Sequence, residues 1–212
     1  MMPLIRELEA LDGLDAHLFG LRGIVEGGWD DCLSLFQSLP ELRVTFTRTT
    51  RANVVHDFQI ARAAKYAQST AGVRLEDRSR LKLLVINDTY AIRFKKLDED
   101  KKPSNHLTDQ VRDFRGQYQL PGLPPTHNLE MGYVLDKTQS SIDQVCLVCP
   151  NGPISNYWAN DLLVGQEAQQ GIVLDIFEQR KSEQLVEEEE EALVRAKRDG
   201  VIIPIRREID EN

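Results

Sequence analysis

The stretch Leu81-Lys82-Leu83-Leu84-Val85-Ile86-Asn87-Asp88-Thr89-Tyr90-Ala91-Ile92-Arg93-Phe94-Lys95 decides the fold. Leu81 to Ile86 is apolar apart from Lys82, the pattern of a central strand. Asn87-Asp88 is a turn dipeptide. Tyr90 to Lys95 then alternates, with Tyr90, Ile92 and Phe94 on one face and Ala91, Arg93 and Lys95 on the other. Two strand patterns joined by a short turn predict an antiparallel hairpin.

Upstream of the hairpin, Arg48 to Gln68 repeats Val54, Val55, Phe58, Ala61 and Ala64 at helical offsets. Thr49 or Thr50 is suited to cap this helix and Gly72 to stop it. Val73-Arg74-Leu75 adds a short strand. Before residue 48, short apolar clusters are punctuated by Gly20, Gly23, Gly27 and Gly28, and Asp30 to Leu39 reads as a short helix stopped by Pro40.

Downstream, the charged segment Leu97 to Asn105 contains Pro103 and reads as a loop. Leu107, Val111, Phe114 and Tyr118 mark a helix. Leu120-Pro121-Gly122-Leu123-Pro124-Pro125 is a stiff turn, since neither a regular helix nor a central strand accommodates it. Leu129 to Asp136, Ile142 to Val148 and Ile154 to Leu163 read as strands. A helix is expected from Leu174 toward Arg198, followed by Gly200 and an apolar tail, Val201 to Ile205, broken by Pro204.

The order from residue 48 is helix, three strands, helix, then two or three strands. This is an α+β fold, a mostly antiparallel sheet with flanking helices. We expect a single domain: a helical extension over 1–47, the core over 48–165, and a C-terminal helix and tail over 166–212.

Bulk properties agree with one globular domain. The chain has 212 residues, 41% hydrophobic and 28% charged, which excludes wholesale disorder and collagen-like structure. Three cysteines, Cys32, Cys146 and Cys149, argue against a disulfide framework. No stretch reads as a signal peptide or membrane span, so a cytoplasmic protein without membrane contact is expected. The formal net charge is -8, which as a uniform surface would repel nucleic acid. The charge is uneven, however. Basic side chains outnumber acidic ones by 11 to 8 between residues 74 and 115, whereas acidic ones lead by 13 to 7 between 167 and 212.

Common chemical signatures are missing. The chain has no H-E-x-x-H, P-loop, G-x-S-x-G or G-x-G-x-x-G motif. Cys146-Leu147-Val148-Cys149 has C-x-x-C spacing but lies at a strand end, where the two side chains point to opposite faces. Zinc would need two more ligands, and only Cys32 and His127 are distant candidates. His56-Asp57 lies on the long helix, where adjacent residues point about 100° apart and make no site alone. No metal and no cofactor is expected.

The element order resembles the core of restriction-endonuclease-like (PD-(D/E)XK) nucleases. That resemblance implies an Asp at one strand end, and a Glu and Lys on the next strand, converging on a metal. Asp88 and Lys95 are the candidate catalytic residues on this reading. Arg93 stands where the second metal-binding acid belongs, and a guanidinium cannot ligate a cation. The resemblance is therefore to a degenerate core, in which Arg93 and Lys95 form a small cationic patch.

A second resemblance rests on Arg93-Phe94-Lys95-Lys96-Leu97-Asp98-Glu99-Asp100, Pro103-Ser104-Asn105, Leu120-Pro121-Gly122-Leu123-Pro124, Asn128-Leu129 and Gly132-Tyr133-Val134-Leu135-Asp136. These stretches are similar to an uncharacterised family of mobile elements and prophages. Its members accompany helix-turn-helix proteins with an ImmA/IrrE-type metallopeptidase domain, as in Rosmer-like toxin–antitoxin systems. The resemblance implies an antitoxin-like protein that binds and neutralises a co-encoded toxin, with nucleic acid reached through the complex. Candidate binding residues are Arg93, Lys95 and Lys96, the aromatic pair Tyr157 and Trp158, and Glu187 and Glu191 in the acidic C-terminal run. A divergent metal-dependent nuclease or toxin component is one alternative. A nucleic-acid-binding regulator using Arg93, Lys95, Lys96, Lys101 and Lys102 is another.

Overall fold

The computed structural model of the chain describes residues 3–78, 81–103 and 108–163. The expected C-terminal helix and tail, with Glu187 and Glu191, lie outside the described residues.

Three helices come first: α1 (Glu7–Ser38), α2 (Pro40–Thr45) and α3 (Arg48–Ser69). Strands β1 (Val73–Arg78), β2 (Leu81–Ile86) and β3 (Tyr90–Lys96) follow, then helix α4 (Asp109–Arg115) and strands β4 (His127–Leu135), β5 (Ile142–Pro150) and β6 (Asn156–Asp161). The six strands form one sheet in chain order, β1-β2-β3-β4-β5-β6. Each neighbouring pair is antiparallel except β3 with β4, which run parallel. A parallel pair needs a crossover, and α4 with its flanking segments supplies it. The fold is α+β with a mostly antiparallel open sheet.

The β2–β3 turn is built from Asn87 and Asp88 at φ 50° and 53°, a left-handed conformation that these two residue types tolerate. Pairing across this hairpin covers only Leu84–Ile92, Val85–Ala91 and Ile86–Tyr90. Beyond Ile92, β3 pairs with β4 alone, from Arg93–Glu130 to Lys96–Tyr133.

One sheet face packs on α1 and α3. Leu84, Ile86, Ile92, Phe94, Leu129, Met131, Val145 and Leu147 meet Leu14, Leu21, Ile24, Val25, Val55 and Ala63 there. The opposite face carries two smaller clusters. Leu83, Val85 and Ala91 pack under Phe114, Leu120 and Leu123, and Leu97 packs with Val134, Cys146 and Val148.

The N-terminal segment departs from its sequence reading. It is one helix of 32 residues, not clusters separated by turns. The buried positions Ala10, Leu14, His17, Leu21, Val25, Cys32 and Phe36 keep helical spacing throughout. The glycines are contact points, not breaks. Added Cβ atoms would meet Tyr66 at Gly20 (2.5 Å), Arg62 at Gly27 (2.4 Å) and Gln59 at Gly28 (2.5 Å from Cγ, 3.0 Å from the backbone nitrogen). Small residues let α1 and α3 approach in antiparallel register. The register is pinned by His17 Nδ1 with Tyr66 Oη (2.7 Å) and by a bidentate pair, Arg62 donating to Asp31 at 2.7 and 2.8 Å. The start of α1 is tied to β6, where Trp158 Nε1 donates to the Ile5 carbonyl (2.8 Å) and Asn160 donates to Glu7 (2.7 Å).

The remaining elements lie close to their predicted places. Thr47, not Thr49 or Thr50, caps α3, its hydroxyl accepting from the Thr50 amide at 3.1 Å. β1 runs on to Arg78, its charged second half compatible with an edge strand. α4 is shorter than the apolar spacing suggested, and the chain turns away through Gln117 at φ 57°.

Candidate functional site

Arg93 leaves β3 on the face covered by α4, as the alternation predicts, and Lys95 lines a cleft beside α3, so the two do not form a surface patch. Arg93 is 2% exposed. Its guanidinium lies 5.5 Å from the Phe114 ring centroid and 3.7 Å from Glu130 Oε1. Glu130, its register partner on β4, is fully buried and also accepts from Arg115, itself fully buried. Arg115 further donates to the carbonyls of Gly152 (3.1 Å) and Ser155 (3.0 Å) and to Asn156 Oδ1 (2.9 Å). One carboxylate therefore serves two guanidiniums inside the sheet–α4 interface.

A second polar cluster holds the crossover in place beside this one. Gln117 donates to the carbonyls of Asn128 (2.8 Å) and Pro150 (3.1 Å) and accepts from the Asn128 amide (2.9 Å). Asn128 Nδ2 donates to the Phe114 carbonyl at 2.9 Å. Buried polar groups matched this way make the path of residues 114–130 specific, because any other path strands them. Glu130, Arg115, Gln117 and Asn128 escaped the sequence reading. Glu130 sits alone in an apolar strand, the other three sit among polar residues that read as surface, and only the crossover joins them.

Asp88 lies in the turn before β3, and Lys95 near the strand's far end. The five strand steps from Tyr90 to Lys95 alone span about 16 Å at ~3.3 Å per residue. Asp88 lies in the exposed turn and pairs with Arg74. The two do not converge on one site. Among the described residues, no group of three His, Cys, Asp or Glu side chains is placed to hold a metal ion. Cys146 and Cys149 point to opposite faces as expected, one packed with Leu97 and Val134 and the other facing the helices. Burial pushes both thiols up to about 11.

Lys95 and Lys96 reach a cleft of about 760 Å³ between the N-terminal half of α3 and the ends of β3 and β4. Arg48, His56 and Gln59 of α3 form one wall, Phe94, Lys95 and Lys96 line it from β3, and Asp98 to Asp100 with Asp136 form the far lip. Burial, then the charge of Arg93, brings the Lys95 ammonium down to about 8. Lys96 is lowered by burial and by neighbouring Arg48 and Arg51. Burial first, then the positive charge of Lys95, lowers His56 to about 4, so its imidazole is neutral near pH 7.

Tyr157 and Trp158 do not form one surface. Trp158 turns toward α1 and is half-buried, whereas Tyr157 on the edge strand β6 is 50% exposed. Lys101 donates to Gln144, and Lys102 pairs with Asp100. Among the described residues, no helix is long and apolar enough to cross a membrane.

Fold and site together define an α+β protein with a buried Arg–Glu–Arg cluster beneath α4 and a cleft bordered by cations at the end of β3. No known protein family, curated protein or solved structure matches the chain.

Proposed function

We propose that this chain is a binding protein of the antitoxin type, one that grips and neutralises a protein partner encoded beside it, and that its scaffold is a degenerate nuclease-like core. The observation carrying this reading is the Arg93–Glu130–Arg115 cluster. A nuclease-like core would hold an acid at the Arg93 position, free to ligate a cation. Here the position carries a guanidinium, and the adjacent carboxylate is committed to two buried cations. The helix–three strands–helix–strands order, closed into one sheet, supports the choice of scaffold.

The surface for a partner is sought at β6. It is an edge of the described sheet, with Tyr157 half exposed and Ile154 74% exposed just before it. On the resemblance above, the partner is a helix-turn-helix protein with a metallopeptidase-like domain, and the pair acts in the cytoplasm.

Co-purification of the full chain with the tagged product of the neighbouring gene tests the proposal, together with growth of cells expressing each gene alone and both together. A complex at micromolar concentration and restored growth are expected. No complex and no rescue would overturn it. Magnesium- or manganese-dependent cleavage of nucleic acid, abolished by Lys95→Ala, would favour the nuclease instead.

A further inference from the structure

One wall of the cleft at the end of β3 gathers positive side chains. Arg48, Arg51, Lys95 and Lys96 lie in or beside it. None of the four makes an ion pair with a described residue, although most of the other described arginines do. The far lip carries four acids, Asp98, Glu99, Asp100 and Asp136, but none of them stands within ion-pair distance of the four cations. Asp98 accepts from the Lys102 amide (2.8 Å), and Asp100 pairs with Lys102 Nζ (3.2 Å). Asp136 accepts from the amides of Ser140 (2.7 Å) and Ser141 (2.9 Å) and from Thr138. Cations gathered on one wall, without an ion-pair partner, are placed for an anion.

A second observation concerns the α3 wall. Gln59 lines the cleft and is 1% exposed, yet its Oε1 and Nε2 both lack a hydrogen-bond partner. His56, one turn earlier, likewise has an unpartnered, buried Nδ1. A buried amide with neither donor nor acceptor satisfied is uncommon, because it forfeits its hydration with no return. A carboxamide presents one donor and one acceptor side by side, which matches the edge of a heterocyclic base. Beside it is an imidazole that stays neutral, so this end of the cleft suits an uncharged polar group. The cationic end suits phosphate. The volume, about 760 Å³, is that of a small-molecule site.

We propose that this cleft binds a phosphorylated nucleoside, its phosphate held by Arg48, Lys95 and Lys96 and its base edge met by Gln59 and His56. The ligand is either a free nucleotide or one nucleotide of a single-stranded chain, since both present the same groups. The proposal does not rest on the partner-binding reading. It concerns the α3–β3 end of the sheet, whereas that reading concerns β6 and a second protein.

Titration calorimetry on the full chain tests it with five probes: adenosine 5′-monophosphate, guanosine 5′-monophosphate, adenosine, inorganic phosphate and a single-stranded 12-mer oligonucleotide. At least one nucleotide or the oligonucleotide is expected to bind well below millimolar concentration, and adenosine at least about tenfold more weakly than its phosphate. Binding of a mononucleotide identifies a free ligand, and binding of the oligonucleotide alone identifies a nucleic-acid strand. Lys96→Gln and Arg48→Gln should each weaken binding about tenfold, the effect of one charge-assisted hydrogen bond. Gln59→Leu should weaken nucleotide binding by a similar factor and leave the binding of inorganic phosphate unaffected. The last result separates a ligand-facing amide from one that supports the fold. No binding of any phosphate probe at millimolar concentration would overturn the proposal. So would nucleotide binding that is unchanged in Lys96→Gln and Gln59→Leu.

Discussion

Replacing Glu130 by Gln changes one oxygen to an amide nitrogen and leaves side-chain volume almost untouched. Its effect on the buried cluster is large for electrostatic reasons alone. The carboxylate stands 3.7 Å from the Arg93 guanidinium and in direct contact with Arg115. At an effective dielectric constant of about 20, an attraction over that distance is about 4 kcal/mol. Without the charge, Arg93 at 2% exposure and the fully buried Arg115 face each other across a neutral amide. Breaking a buried pair from one side costs about 3–5 kcal/mol, because the remaining charge is desolvated without compensation. With a urea slope of about 2 kcal/mol per molar, the unfolding midpoint of Glu130→Gln should fall by roughly 2 M. The double variant Arg115→Met with Glu130→Gln should lose clearly less than the sum of the two single variants, since the residues share one interaction. It should still lose something, because the carbonyls of Gly152 and Ser155 lose the same donor. A Glu130→Gln midpoint within about 0.5 M of the parent, or strict additivity, would refute the claim that this cluster holds the crossover in place.

The helix interface makes a paired prediction: Gly28→Ala should destabilise by about 1–3 kcal/mol, since its Cβ would stand 3.0 Å from the Gln59 backbone nitrogen, whereas Gly23→Ala, with open space around it, should stabilise by about 0.5–1 kcal/mol in the same thermal melt. The His56 imidazole titrates near 6.5 in the unfolded chain and about 4 in the folded one, so between those values the unfolded state holds the extra proton. Stability should therefore fall as pH drops from about 6.5 toward 4, by up to about 3 kcal/mol, and His56→Gln should flatten that slope in urea titrations at pH 7, 6 and 5. Cys32, Cys146 and Cys149 are all buried, and native protein should react with a thiol reagent only at the rate of unfolding; rapid labelling of Cys146 or Cys149 would contradict the packing on both faces of β5.

The hairpin at Leu81–Lys95 was legible because its signals are local. An apolar run, a turn dipeptide and strict alternation each follow from covalent geometry and the two-residue period of a strand. The same locality explains α3, and why odd spacing placed Cys146 and Cys149 on opposite faces. Helix α1 was misread for the converse reason. A glycine within a helix looks like a break until the partner helix is known, and Gly20, Gly27 and Gly28 have meaning only beside Tyr66, Arg62 and Gln59. Arg93 is the most instructive case. Alternation gave its face correctly, but solvent exposure of that face could not be inferred, since α4, which covers it, follows many residues later.

The candidate site divides along the same line. Lys95 and Lys96 were visible as cations on a strand. Their neighbours Arg48, His56 and Gln59 come from a helix some 40 residues earlier, and no motif spacing connects them. The amino-acid order alone determined the α+β class, the hairpin and the main helix of the core, because short-range backbone preference and side-chain period act within a few residues. Tertiary structure alone decided that β3 and β4 run parallel, that Glu130 sits between two arginines, and that cations and an unpartnered amide share one cleft. Those outcomes depend on which surfaces exclude water from each other, a property of packed elements and not of any one segment.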